Sequence, residues 1–231
     1  MELLVVIVIL AVLGVLVFAM MPTLKRRAEA TKSLGNLRQI GQMVAGSAAE
    51  RGNRLPAPRA DVPDGKGGFA QLHWYETFLH ELYPNEAAGS FGRVEWWEAN
   101  KPFLRNPLLR TDGPQRGVWF PWATWNPGYG MNLQITSNLG KSSGDWSAGK
   151  GGPQAYGVPY ALIPDPARTP LIAPFGNWWF TFTPQELRSV ADELEAVKVD
   201  GKLPILFVDG HIESMSPAEY SERELHLMPR K

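Results

Sequence analysis

The chain has 231 residues, with 23 basic side chains against 23 acidic ones and no cysteine. That length fits an anchor plus one domain of ordinary size, or one domain with long insertions. Zero net charge and a pI near 6.9 exclude the overall basic footprint of a nucleic-acid-binding protein, and the lack of cysteine excludes disulfides, thiolate metal sites and a cysteine nucleophile.

Residues 3–21 form an uninterrupted apolar run, with Glu2 before it and Pro22 after it. About 20 helical residues at ~1.5 Å each cover the ~30 Å hydrocarbon core of a bilayer, so residues 1–24 read as a transmembrane half-helix. A cleaved signal peptide would have a basic start, a shorter apolar stretch of about 7–15 residues and a small-x-small site. None of these features occurs here. A carboxylate at the mouth of a membrane helix is costly, which marks Glu2 as functional.

Residues 25–52 continue the helix in amphipathic form. Leu34, Leu37, Ile40, Val44 and Ala48 recur at three- and four-residue spacing, with Arg38, Gln39 and Gln42 between them. Gly35, Gly41 and Gly46 each cost such a helix roughly 1 kcal/mol relative to alanine, which packing on a sheet must offset. Gly52 and Asn53 predict the helix end, and a bend is expected at Pro22, where an amide donor is missing.

Residues 53–231 read as a globular domain. A Pro/Gly/Asp-rich loop is expected over 53–68 and a short helix over 69–84, with Leu72, Tyr75, Phe78, Leu79 and Leu82 inward. Residues 94–104 predict a second short helix or an irregular segment, and 117–125 and 129–136 predict strands. Residues 137–157 predict a Gly/Ser/Lys-rich excursion, 169–175 a strand, and 183–197 a helix capped by Thr183. Residues 203–215 predict a hairpin turning at Asp209-Gly210, and Ser216 predicts the cap of a last helix.

Few constellations carry chemistry. Asp209, Gly210 and His211 would suit a metal site or a dyad, but Asp-Gly is the pair a type I′ turn requires, with φ > 0 at both residues. His73 and His80 lie seven apart, on one face of the expected helix, without the third ligand of a zinc site. No GxSxG, P-loop or GxGxxG occurs, and no catalytic set can be assembled. Trp119, Trp122 and Trp125 cluster, as do Trp96-Trp97 and Trp178-Trp179. Core packing explains most such aromatics, and surface recognition by Trp122 and Trp125 is the alternative.

Glu2 and the apolar string after it, ELLVVIVIL at 2–10, followed by NLRQIGQM at 36–43, resemble the type IV pilin and type II secretion pseudopilin family. ILFVDGHIE and YGMN are similar to segments of a pseudopilin-like group with a β-rich domain. In many of that group a histidine lies ten positions before the Asp, where this chain has Val199. The resemblance implies an α+β, pilin-like fold: a long N-terminal helix, half membrane and half amphipathic, on an antiparallel sheet with inserted short helices.

It also implies a structural subunit of a pilus or secretion pseudopilus filament, not an enzyme. Its partners would be copies of itself or other pilin-like subunits, a prepilin peptidase, an inner-membrane assembly platform and the lipid bilayer. No cofactor is expected. A calcium site made of loop carboxylates, as some secretion pseudopilins possess, would draw on Asp145 and Asp200, which lack EF-hand-like spacing. The matching glutamate, Glu2, would pair with a neighbour's N-terminal ammonium. The resemblance further implies a leader ending in glycine and a methylated phenylalanine before Met1, so the sequence is expected to start late.

Charge counting alone places Lys25, Arg26 and Arg27 in the cytoplasm. The resemblance places the domain in the periplasm or in an extracellular filament, and the expectation follows the resemblance. The alternative function is a membrane-tethered binding domain with a simple signal anchor, taking carbohydrate on exposed tryptophans.

Overall fold

The computed structural model describes residues 2–63, 69–82, 101–108, 128–132, 156–175, 179–180, 198, 200–216 and 219. Its first element is helix α1, Glu2–Glu50, which runs through Pro22 without interruption. Proline there has no N–H to give the Phe18 carbonyl. The helix ends where the sequence predicts. Gly52 has φ +63°, and the Asn53 amide donates to the Ala48 carbonyl at 2.8 Å. This six-to-one bond around a left-handed glycine is the Schellman arrangement.

The expected loop over 53–68 contains two strands instead, β1 (Arg54–Pro56) and β2 (Arg59–Pro63). The helix expected over 69–84 starts late for the same reason. Its first five residues form β3 (Phe69–His73), antiparallel to β2 with Arg59 opposite His73, and only then does α2 (Trp74–Leu82) begin. Glu76 serves this start: its Oε2 accepts from the His73 amide at 2.8 Å, as the third helical residue does in a capping box. Tyr75, Phe78 and Leu79 are buried as predicted. Pro102–Leu104 forms one 3-10 turn.

Strands β4 (Tyr129–Asn132), β5 (Tyr156–Pro159), β6 (Pro170–Pro174), β7 (Trp179–Phe180), β8 (Leu203–Phe207) and β9 (Ile212–Met215) follow. They include the first four residues of the strand predicted over 129–136, whose remainder lies outside the described residues, the predicted strand at 169–175 and the predicted hairpin, whereas β5 begins inside the stretch expected as an excursion. The main sheet has the order β7-β4-β6-β8-β9. It is antiparallel except for the short β4–β7 pair, which is parallel and so departs from the purely antiparallel sheet expected. β1 pairs with β5 in a separate two-stranded sheet, as β2 does with β3. The predicted strand at 117–125 and helix at 183–197 lie outside the described residues.

The architecture is therefore α+β, with a long N-terminal helix against largely antiparallel sheets. Leu37, Ile40 and Val44 of α1 share one core with Trp74, Phe78, Tyr129, Met131, Ile172 and Leu206. Arg38, Gln39 and Gln42 face solvent, as the helical periodicity requires. Ser216, predicted as a helix cap, and Glu219 bond reciprocally as in a capping box. The Glu219 amide donates to Ser216 Oγ, and the Ser216 amide donates to Glu219 Oε2. Hydrogen bonds to its carboxyl from the Ser216 amide and hydroxyl, and from Lys202 Nζ at 3.2 Å, hold Glu219 down to about 2.

Candidate functional site

The two halves of α1 have opposite surroundings. From Leu3 to Leu24 every described large apolar side chain is at least half exposed, with Leu3 at 77% and Phe18 at 73%. Among the described residues the first buried side chain is Ser33, well into the second half. Burying one such Val, Leu, Ile or Phe is worth roughly 1.5–3 kcal/mol, so the bare half of α1 calls for a cover worth tens of kcal/mol. The helix is long and apolar enough to cross a membrane. Glu2 is its first residue, and its side chain lies outside the described residues. Gly14, midway along, leaves open space where a Cβ would stand.

A collar of charge follows the apolar half. Lys25 approaches Glu29 at 3.9 Å on the exposed surface, an i,i+4 pair worth little in water. Arg26 Nη2 donates to the Lys198 carbonyl at 2.8 Å and so ties the helix to the C-terminal part of the domain. Pro22, Thr23, Arg26 and Arg27 face Lys198, Asp200 and Gly201 across a cleft of about 440 Å³. Asp200 and Gly201 have φ of +52° and +75°, the two left-handed conformations of a type I′ turn. Arg38 lies beyond the collar, on the exposed face.

The Asp209-Gly210 turn differs from its expected form. Only Gly210 has positive φ, +92°. The Gly210 amide donates to the Phe207 carbonyl at 3.0 Å, and the Phe207 amide donates to the His211 carbonyl at 2.9 Å. That is a three-residue loop, a type I turn followed by a glycine bulge, and not type I′. Asp209 Oδ1 accepts from the His211 amide at 3.1 Å and lies 2.6 Å from its ring Nδ1. The His211 ring stacks on Phe207 at 4.4 Å. These contacts shape the turn.

The remaining candidates separate. His73 is the last residue of a strand, not part of the helix that carries His80, so the two do not share a helical face. Its Nδ1 lies 2.7 Å from Glu76 Oε2. The side chain of His80, together with Asp145, Trp119, Trp122, Trp125, Trp96, Trp97 and Trp178, lies outside the described residues. Trp74 is fully buried in the core. The YGMN segment is strand β4, buried throughout, with Asn132 Nδ2 donating to the Pro170 carbonyl at 2.9 Å. Among the described residues no three His, Asp or Glu side chains gather as a metal site would need.

Sequence reading missed the Arg26–Lys198 tie and the second Asp-Gly turn. The turn had a signal, the Asp200-Gly201 pair directly before an apolar strand. The tie had none, because the two residues are 172 positions apart. In comparison with known proteins, no family model matches the chain, and neither a curated protein nor a solved structure matches it significantly.

Proposed function

We propose that this chain is a pilin-like structural subunit, held in a bilayer by the first half of α1 and assembled into a filament through the same half. The observation that carries the reading is the continuity of one helix whose first half is wholly uncovered and whose second half is docked on the sheet. A bilayer covers the apolar half of each subunit while it waits. In a filament the neighbours' apolar halves take the place of lipid. The subunit sits in an inner membrane with its domain in the periplasm, or outside in the filament, and a prepilin peptidase and an assembly platform act on it.

Glu2 is the residue that separates assembly from anchoring. In the filament it neutralises a neighbour's N-terminal ammonium within apolar surroundings. Removing one side of a buried pair typically costs roughly 3–5 kcal/mol. In the membrane pool the same change removes a charge from the bilayer edge and favours insertion. Glu2→Ala in the full precursor, expressed with the whole assembly machinery, should therefore abolish sheared filaments and leave membrane-fraction protein unchanged. Filaments at wild-type yield from Glu2→Ala would remove the assembly role of Glu2.

A further inference from the structure

We infer that the cleft between α1 and the turn carrying Asp200 and Gly201 binds the phosphate of an anionic lipid headgroup. The inference rests on the membrane-anchor part of the proposed function and does not need the filament. Three observations meet at this place.

The first is position along the helix. The apolar run ends at Met21, and Arg26 and Arg27 follow five and six residues later, about 7–9 Å further along at ~1.5 Å per residue. The interfacial layer on each side of a bilayer is about 5–8 Å thick, the difference between its full thickness and its hydrocarbon core. The two guanidinium groups therefore stand at headgroup depth when residues 3–21 fill the core.

The second is charge. Among the described residues that line the cleft, Arg26, Arg27 and Lys198 are cationic and Asp200 is anionic. Lys198 is only 7% exposed, and its carbonyl fixes the Arg26 guanidinium at the cleft. Arginine suits a phosphate because its planar fork gives two parallel hydrogen bonds.

The third is construction. The cleft is not a bare stretch of basic helix. Its far wall comes from the other end of the chain, fixed by the bond from Arg26 to the Lys198 carbonyl and by two consecutive left-handed residues. A void of about 440 Å³ has room for a phosphodiester and its glycerol. Pro22 and Thr23 form the membrane-side rim, so a headgroup could enter while its acyl chains lie along the exposed apolar half of α1.

The test is native mass spectrometry of the full chain released from bilayers of equal parts phosphatidylglycerol and phosphatidylcholine. Phosphatidylglycerol should be retained in clear excess. Arg27→Gln should lower that excess roughly fivefold, the effect of one cation near an anionic surface. Arg27→Lys, which keeps the charge and loses the fork, should lower it by less than Arg27→Gln does, and Arg38→Gln, on the exposed face beyond the collar, should leave it unchanged. Equal retention of the two lipids overturns the inference, as does an excess that survives Arg26→Gln combined with Arg27→Gln. Inorganic phosphate is the second arm. If it binds saturably, depends on Arg27 and displaces phosphatidylglycerol at millimolar concentration, the site is one for free phosphate and the lipid assignment falls. If the chain fails to enter the bilayers at all, the anchor reading falls and takes this inference with it. Insertion without lipid preference removes only the inference.

Discussion

The hydroxyls of Ser33 and Tyr129 lie 3.1 Å apart inside the core, joining the docked half of α1 to strand β4 across 96 positions of sequence. The phenol also reaches the Ser33 carbonyl, at 3.4 Å. Burial pushes the Tyr129 phenol from 10.0 up to about 12, although the hydrogen bonds from Ser33 and Asn36 act against it. The raised group contributes stability that is complete below pH 10, its unfolded value, and is lost as the pH rises towards 12. Two units correspond to roughly 2–3 kcal/mol. Tyr75, also raised well above its ordinary value by burial, adds to the same alkaline loss.

Urea melts of the fragment lacking residues 1–24 should therefore show stability falling steeply above pH 10. Tyr129→Phe should cost about 1 kcal/mol at neutral pH, where Ser33 loses a partner, and should make the alkaline decline shallower. Parallel pH profiles for the two proteins would show that Tyr129 ionises as freely in the fold as outside it.

Gly41 lies against Leu206 of β8. A Cβ there would stand 3.1 Å from Leu206 Cδ1, whereas at Gly35 and Gly46 it would meet nothing within 4 Å. Gly35→Ala should stabilise the domain by about 0.4–1 kcal/mol through helix propensity and a less flexible unfolded chain. Gly41→Leu, a strong helix former, should instead destabilise it by roughly 1–3 kcal/mol through overpacking. Thermal melts of the same fragment measure both. A Gly41→Leu protein as stable as wild type would mean that α1 sits further from β8.

The β8–β9 turn depends on Gly210 more than on its neighbours. Gly210→Val should cost roughly 1–3 kcal/mol, because a β-branched residue resists φ of +92°. His211→Ala gives up its surface contact with Asp209 and its stacking over the buried Phe207 ring, and should cost about 1 kcal/mol, less than the glycine change. Denaturant midpoints give the order. If the histidine change were the larger, or if it removed a bound metal, the segment would be a chemical site.

Local chemistry made much of this legible in the sequence. The spacing of Leu34, Leu37, Ile40, Val44 and Ala48 predicts the docked face of α1; the last four are buried and Leu34 is half-buried. Gly52 predicts the helix end and adopts the left-handed conformation that ends it. Ser216 predicts a helix cap, and its hydroxyl accepts from the Glu219 amide. The failures lie where pairing overrode local preference. Residues 69–73 carry the apolar spacing of the helix that follows, yet β2 recruits them into a strand. The Asp209-Gly210 pair has the residues of a type I′ turn. The register that sets Leu206 opposite Ile212 continues to Phe207 opposite His211 and leaves three residues to the loop, and the backbone takes a type I turn with a bulge. The collar cleft was not legible at all, since Arg26 and Lys198 meet only through the finished fold.

The central claim is that the apolar half of α1 packs against the same half of neighbouring copies. The chain has no cysteine, so single cysteines placed one at a time through residues 3–21 report only on their own position. Full precursors expressed with the assembly machinery would be treated with a membrane-permeant bismaleimide and resolved by gel. Cross-linked dimers, the limit for one thiol per subunit, are expected from a subset of positions recurring every three to four residues, the period of a packed helix face. Dimers absent from every position, with the protein present in the membrane and the machinery expressed, would contradict the claim and leave a helix that anchors without assembling.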